Sequence, residues 1–146
     1  EIDMRSRFAY PIELQADEDG RVVARMRDLP GAVTDGADRS EALREAADAL
    51  EEAIAACMAG HEDIPRPSPA RGRAIVVPGT LIAAKAALYE AMREKGVGNV
   101  ELGRRLGVAE TEIRRCIDPR HATRISRLDA ALAALGRRLI VTVDAA

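Results

Sequence analysis

The sequence predicts an α+β protein of two domains, a β-β-β-α-β domain over 4–78 and an all-α helix-turn-helix domain over 79–146 that ends in a β-strand. The hydrophobic repeat lengthens from about two residues to about 3.6 near Asp38, as expected where strands give way to a helix. Residues 1–65 hold 16 Asp and Glu against seven Arg, a balance of −9, whereas residues 66–146 hold 15 Arg and Lys against eight acids, a balance of +7. This asymmetry indicates two modules with different partners, although a merely solubilising surface explains the acidic half equally well.

Composition excludes several classes of protein. Hydrophobic residues make up 47% of the chain and charged residues 32%, which is typical of a globular protein. Aromatic residues make up only 2%, too few to stack the bases of a single-stranded nucleic acid. No apolar run approaches the roughly 18 residues of a membrane span, and the first residues lack the apolar core of a secretory signal, so we expect a cytoplasmic protein.

The first domain begins with a predicted meander of three strands. Residues 8–15 and 21–26 alternate between apolar and polar side chains, and the Asp-Gly pair between them favours a hairpin. Pro11 lacks a backbone donor, which predicts that the first strand lies at a sheet edge or carries a bulge. A third short strand is expected over 32–34, between two glycine-containing turns.

A helix and a fourth strand complete this domain. Asp38 and Glu41 form a capping box that starts a helix, which Gly60 is expected to end. Its outward face is mostly acidic. After a proline-rich connection, residues 74–78 (AIVVP) read as a buried strand.

The second domain centres on residues 99–117, which read as two short helices joined at Gly107. Gly107 suits a left-handed turn, and Gly103 leaves room for the helices to cross closely. The apolar spacing predicts a shared core of Leu102, Leu106, Val108, Ile113 and Cys116. Thr80 is expected to cap a preceding helix through Lys95, Asn99 to cap the first motif helix, and a last helix to run over 125–135.

If the second motif helix enters the major groove of DNA, its exposed residues become candidate base readers. Arg114 and Arg115 suit guanine, Thr111 suits a thymine methyl, and Glu110 and Glu112 suit cytosine. The flanking candidates, mostly suited to phosphates, are Asn99, Arg104, Arg105, Arg120, His121, Thr123 and Arg124. For each residue taken singly, a solvated surface position explains the side chain about as well.

The chain ends in a strongly β-prone run that has no neighbouring strand in the sequence. Its apolar residues are Leu139, Ile140, Val141 and Val143. The segment has two candidate partners, the fourth strand of the first domain and the same segment of a second subunit. We favour a homodimer, which can extend to a tetramer, because helix-turn-helix proteins generally read paired half-sites.

The sequence indicates no enzyme, metal site or cofactor. His61 and His121 have no nucleophile near them in sequence, so no catalytic residue is assigned. Asp17, Glu18 and Asp19 lie in one hairpin turn, where solvated carboxylates are far commoner than a cation site. Cys57 and Cys116 fall in apolar helical stripes and are expected to be core residues.

Seven segments together resemble the HicB family of antitoxins, specifically members with a C-terminal helix-turn-helix. They are FAYPIEL, DLPGAVTDG, EALREAADALEEAI, AAKAALYEAMREKG, ELGRRLGV, DPRHATRI and ALAALGRRLIVTV. The resemblance covers nearly the whole chain and implies a first domain similar to a pared-down ribonuclease H fold without its catalytic acids. It further implies a HicA-type RNA-cleaving toxin as the partner of that domain, and repression of its own operon through double-stranded operator DNA.

The toxin contacts are open, and the candidates are the acids of the hairpin turn and of the helix: Asp17, Glu18, Asp19, Glu45, Asp48 and Glu52. Two other functions compete. A ligand-sensing regulator without a toxin requires a polar pocket in the first domain, and a residual nuclease requires converging carboxylates with magnesium.

Overall fold

The structure is a computed structural model that describes residues 7–145. Its contacts divide into two compact units, one formed by the described residues up to Cys57 with Asp63–Gly79, the other by Met58–Glu62 with the residues from Thr80 onward. The elements are β1 (Tyr10–Ala16), β2 (Val22–Arg25), β3 (Val33–Gly36), α1 (Arg39–Ala59), β4 (Ala74–Val76), α2 (Thr80–Lys95), α3 (Asn99–Leu106), α4 (Glu110–Cys116) and α5 (Ile125–Ala134). The predicted α+β architecture is confirmed.

The sheet of the first unit is antiparallel and ordered β3-β2-β1-β4. β1 therefore lies inside the sheet and pairs in continuous register without an extra residue, so the prediction of an edge strand or a bulge is wrong for the strand as a whole. The reason for the proline is local: β1 pairs with β4 only over Tyr10–Ile12 and with β2 only over Glu13–Ala16. Pro11 lies where β1 has a partner strand on one side alone. Its missing N–H donor therefore breaks no hydrogen bond to a second strand.

The predicted capping box starts α1. Asp38 Oδ1 accepts a hydrogen bond from the Glu41 backbone nitrogen at 2.9 Å, and Glu41 Oε2 accepts one from the Ala37 nitrogen at 2.6 Å. The helix buries Ala42, Ala46, Leu50 and Ile54, spaced four residues apart as one stripe of an α-helix requires. This stripe forms the core of the unit together with buried side chains of the strands, including Tyr10, Ile12, Ala24 and Val76.

β4 differs from the prediction of a buried strand. Val76 is buried, but Ile75 is 50% exposed and Val77, just beyond the strand, is 51% exposed. β4 is the edge strand of an antiparallel sheet, where alternate side chains face away from the core. An apolar run alone does not distinguish this position from a fully buried one.

The second unit is helical, and α2 to α5 share one apolar cluster. Its fully buried members include Leu88, Leu102, Ile113 and Leu128, with Cys116 among them. The predicted core is confirmed, although Leu106 and Val108 are only partly buried and Cys57, outside this cluster, is also only partly buried. Asn99 is the first residue of α3, and Gly98 precedes it as the N-cap without a side-chain bond. The predicted capping by Asn99 is therefore wrong.

The predicted C-terminal strand is not formed in the single chain. Residues 137–145 carry no regular secondary structure, and the described sheet pairs β4 with β1 alone, not with this segment. Leu139 packs partly against the helical cluster, whereas Ile140 is 53% exposed, Val141 58% and Val143 94%. A strand needs hydrogen bonds from a neighbour, and one chain supplies none here.

Candidate DNA-binding site

α3 and α4 are joined by a glycine turn that fixes the angle between them. Gly107 adopts a left-handed φ of 68°, and its backbone nitrogen donates to the Arg104 carbonyl at 3.3 Å. The Val108 nitrogen donates to the Gly103 carbonyl at 2.9 Å. These two bonds satisfy carbonyls that the end of α3 would otherwise leave unpaired.

Gly103 is the point of closest approach between the chain before and after the turn. A Cβ atom at Gly103 would lie 2.8 Å from the Val108 carbonyl oxygen, closer than real Cβ contacts come. The sequence-based role of this glycine is thus supported by the packing, because no side chain fits there without a shift of backbone.

The arginines of α3 and α4 are paired with acids on their own helices. Arg114 Nη2 donates to both carboxylate oxygens of Glu110, at 2.9 and 2.8 Å, and Arg115 Nη1 donates to Glu112 Oε1 at 2.9 Å. On α3, Arg104 and Arg105 both bind Glu101. These bonds, led by that from Arg104, hold the pKa of the Glu101 carboxyl below its usual value. Much of the positive charge of the two helices is therefore compensated locally.

A cavity of about 250 Å³ opens beside the C-terminal end of α4. Its polar lining combines residues of α4, of the loop that follows and of α5: Glu112, Arg115, His121, Thr123, Arg124 and Arg127. The side chains of Arg124 and Arg127 form no ion pair and no hydrogen bond with another residue of 7–145. Three arginines against one glutamate make this cavity suited to an anion.

The structure brings together only part of the predicted DNA-binding set. Glu112, Arg115, His121, Thr123 and Arg124 line the cavity. Thr111, Arg114 and Arg120 are exposed outside its lining, and the α3 arginines face their own glutamate. Asn99 instead donates from Nδ2 to Glu110 Oε1 at 3.4 Å, a weak bond that links the start of α3 to the start of α4.

Sequence reasoning missed two residues of this region, Arg127 and Lys85. Arg127 follows the basic loop by one helical turn, and its i+3 spacing from Arg124 was a usable signal. Lys85 lies on α2 and is 0% exposed. The sequence gives no sign of this burial, because the alanines beside Lys85 are equally common on buried and on exposed faces of a helix.

Two groups near the cavity have shifted pKa values. Burial lowers the pKa of the Lys85 ammonium, partly opposed by the nearby Cys116 and Asp118. Burial raises the pKa of the Cys116 thiol, which the positive charge of Lys85 opposes. Cys116 is accordingly an uncharged thiol and packs as a small apolar residue, as the sequence predicts.

The six candidate toxin-binding acids of the first unit are all exposed. Glu45, Asp48 and Glu52 are spaced i, i+3 and i+7 and so share one face of α1. In the hairpin turn, Asp17 Oδ1 accepts hydrogen bonds from the backbone nitrogens of Asp19 and Arg21, both at 2.9 Å. Asp17 therefore stabilises its own turn. The carboxylates of Glu18 and Asp19 form no ion pair or hydrogen bond with another residue of 7–145.

Residues 7–145 contain neither a metal-binding cluster nor a membrane-spanning helix. No group of three or more His, Cys, Asp or Glu side chains is placed to hold a metal ion. None of the helices in this part of the chain is long and apolar enough to cross a membrane.

Comparison with known proteins places the chain in a family. Residues 9–87 match the model of the HicB-like antitoxin of bacterial toxin-antitoxin systems. The chain is 38% identical over 136 residues to antitoxin HicB 2 of Photorhabdus laumondii, covering 93% of this chain and 96% of the relative. It is 35% identical to antitoxin HicB of Escherichia coli K12, covering 89% and 95%, and 33% identical to antitoxin HicB of Pseudomonas fluorescens, covering 95% and 96%. All three relatives are named antitoxins. With this fold, this match and these relatives, the chain belongs to the HicB-like antitoxins of bacterial toxin-antitoxin systems.

Proposed function

We propose that the first unit binds and silences a HicA-type RNA-cleaving toxin and that the second unit represses the operon by binding its operator as a dimer. The observation that carries the DNA half is the α3–α4 pair with its arginine-lined cavity. An anion pocket directly beside the second motif helix is what a DNA backbone requires when that helix lies in the major groove.

The arrangement divides the candidate residues between two tasks. Arg114 and Thr111 lie on the exposed side of α4, outside the cavity, and suit base edges. Arg124, Arg127 and His121 line the cavity and suit a phosphate. Arg115 lines the same cavity, so it moves from the base readers to the phosphate contacts in this proposal.

The support for the toxin half is the family and the charge of the chain. A small RNA-cleaving toxin with a basic surface matches the −9 balance of residues 1–65. Exposed carboxylates on α1 and in the hairpin turn favour fast, oriented encounter more than tight binding. The affinity itself must then come from apolar and backbone contacts elsewhere on the unit.

The binding of a toxin is tested by co-expression. The tagged chain is co-expressed with the genes beside its own, and the captured proteins are identified by mass spectrometry. The proposal expects a small basic protein that cleaves RNA and loses that activity in the complex. Recovery of the chain without such a protein contradicts the toxin half and leaves a regulator without a toxin.

The operator is tested by fluorescence anisotropy with a duplex from upstream of the gene. Arg114→Ala is expected to weaken binding by about 1 to 3 kcal/mol and to relax preference at one base position. Arg115→Ala is expected to weaken operator and unrelated DNA alike. If the double variant binds the operator as the unaltered chain does, α4 is not the reading helix.

A further inference from the structure

Lys85 is a buried cation whose ammonium forms no hydrogen bond to a carboxylate. It lies in the middle of α2, and its side chain is fully buried. Lysine is among the residues least often buried, because its ammonium loses strong hydration. Among residues 7–145 it is the one charged residue whose side chain is buried. The lost hydration of the Lys85 ammonium must therefore be offset by bonds within the protein.

All three hydrogens of the ammonium have an acceptor. Nζ donates to the backbone oxygens of Arg115 at 2.8 Å and Cys116 at 3.2 Å, and to Thr123 Oγ1 at 2.7 Å. The two carbonyls belong to the last residues of α4, where carbonyls lack partners within the helix and a cation is favoured. Lys85 therefore holds the C-terminal end of α4 directly.

Thr123 extends this hold to the loop after α4. Its hydroxyl accepts from Lys85, lies 3.3 Å from the Arg115 oxygen and lies 3.2 Å from His121 Nδ1. Thr123 and His121 also line the arginine cavity. One ammonium on α2 thus joins two of the parts of the chain that line the cavity, the end of α4 and the loop after it.

We propose that Lys85 is a positioning residue of the DNA-binding surface: its ammonium fixes the end of α4 to the 118–124 loop, so that Arg115, His121 and Arg124 face one cavity. Lys85 itself does not contact DNA. This inference rests on the proposed operator binding for its functional readout, and on the structure alone for its geometry.

The first test is Lys85→Met, which keeps an unbranched apolar side chain of about the length of the lysine stem and removes every donor. Operator affinity is expected to fall by about tenfold or more, because the end of α4 and the 118–124 loop lose the bonds that hold them together. The Cys116 carbonyl and the Thr123 hydroxyl lose the Lys85 donor, and the Arg115 carbonyl keeps only its 3.3 Å bonds from the Asp118 nitrogen and Thr123 Oγ1. Thermal stability is expected to fall only modestly, since relief of the lysine's desolvation cost offsets part of the cost of acceptors left without this donor. Toxin affinity is expected to stay within about twofold of the unaltered chain. Lys95→Met is the matched control, the same change at an exposed position of α2.

A double-variant cycle separates positioning from general loosening. Thr123→Val removes only the hydroxyl and is expected to weaken operator binding by a smaller factor. If both residues act through one hydrogen bond, the double variant binds the operator about as tightly as Lys85→Met alone. Its fold loss of affinity is then much smaller than the product of the fold losses of the two single variants. The proposal is overturned if the double variant loses affinity by the full product of the two single losses. It is also overturned if Lys85→Met folds and binds the operator within twofold of the unaltered chain.

Amide hydrogen exchange tests the geometry without DNA. Residues 115–124 are expected to exchange faster in Lys85→Met than in Lys95→Met, while residues 99–106 are unchanged. If the unaltered chain binds no operator, the operator proposal fails, and exchange still tests Lys85. Unchanged exchange over 115–124 overturns the inference. Should Lys85→Met not fold, Thr123→Val alone answers the same question by the same two measurements.

Discussion

Gly103 shows how one residue decides whether two helices can meet. Glycine inside a helix costs about 1 kcal/mol relative to alanine, so a purely local view favours its replacement. The packing reverses that preference, because a Cβ atom would lie 2.8 Å from the Val108 carbonyl oxygen. Backbone cannot yield there without opening the turn between α3 and α4.

We expect Gly103→Ala to lower the free energy of unfolding by about 1 kcal/mol or more, since the clash with backbone exceeds the gain in helix propensity. Thermal and denaturant unfolding measure this. Val100→Ala is the control, because Val100 is 74% exposed on the same helix and its replacement brings propensity without a clash. A higher stability of Gly103→Ala would show that the helices separate at little cost.

The side chain of Arg127 is predicted to contact a DNA phosphate. If its side chain meets a DNA phosphate in the cavity, Arg127→Gln weakens operator and unrelated DNA by similar factors. The slope of log affinity against log salt concentration then becomes shallower by about 1. Affinities measured at several salt concentrations give this slope. Arg44→Gln, an exposed change on α1, is the control, and an unaltered slope for Arg127→Gln argues against a phosphate contact.

At the scale of an element, α4 carries a nearly self-neutral surface. Arg114 with Glu110 and Arg115 with Glu112 are exposed intrahelical pairs, which contribute only a few tenths of a kcal/mol each to stability. If α4 meets DNA as proposed, their larger effect is on DNA affinity, because each carboxylate repels the phosphates that its arginine attracts. In that proposal the acids limit attraction to DNA of any sequence.

Replacing Glu110 and Glu112 together by Gln tests this role. Affinity for unrelated duplex DNA at low salt is expected to rise by on the order of tenfold, because two arginines lose their local counter-charges. Operator affinity rises less if either glutamate accepts from a cytosine. Asp129→Asn on α5 is the control for simple loss of negative charge. Unchanged binding to unrelated DNA would mean that α4 lies away from the duplex.

At the scale of the whole molecule, the C-terminal segment is an exposed apolar run without a partner in one chain. Ile140, Val141 and Val143 are each more than half exposed. Exposed, unpaired β-prone segments tend to pair with another chain. Leu139 packs against the helices, and Arg137 pairs with Glu94 at 2.6 Å, which anchors the start of the segment to its own unit.

Removal of residues 140–146 keeps both anchors and deletes the exposed part. We expect the shortened chain to be a monomer in analytical ultracentrifugation and to bind a two-site operator about 100-fold more weakly, since one subunit then reads one half-site. Its affinity for the toxin serves as the control and is expected to be unchanged. A shortened chain that still forms dimers would place the dimer contact elsewhere.

Local physical chemistry explains what was predictable from the sequence. The capping box of Asp38 and Glu41, the left-handed turn at Gly107 and the apolar stripes of α1 and α2 each depend on neighbours within a few residues. The α+β order of elements and the helix-turn-helix follow from such signals. The family resemblance came from motifs of the same local kind.

Only the tertiary structure decided features that join distant parts of the chain. It placed β1 inside the sheet with a change of partner after Ile12, and β4 at an exposed edge, because strand order depends on pairing across many residues. It also carried Lys85 to the end of α4, 30 residues away, and gathered Arg115, Arg124 and Arg127 around one cavity. The sequence by itself determined the helices that present the candidate DNA-binding side chains, whereas folding determined which side chains converge, since convergence is a property of packing between elements.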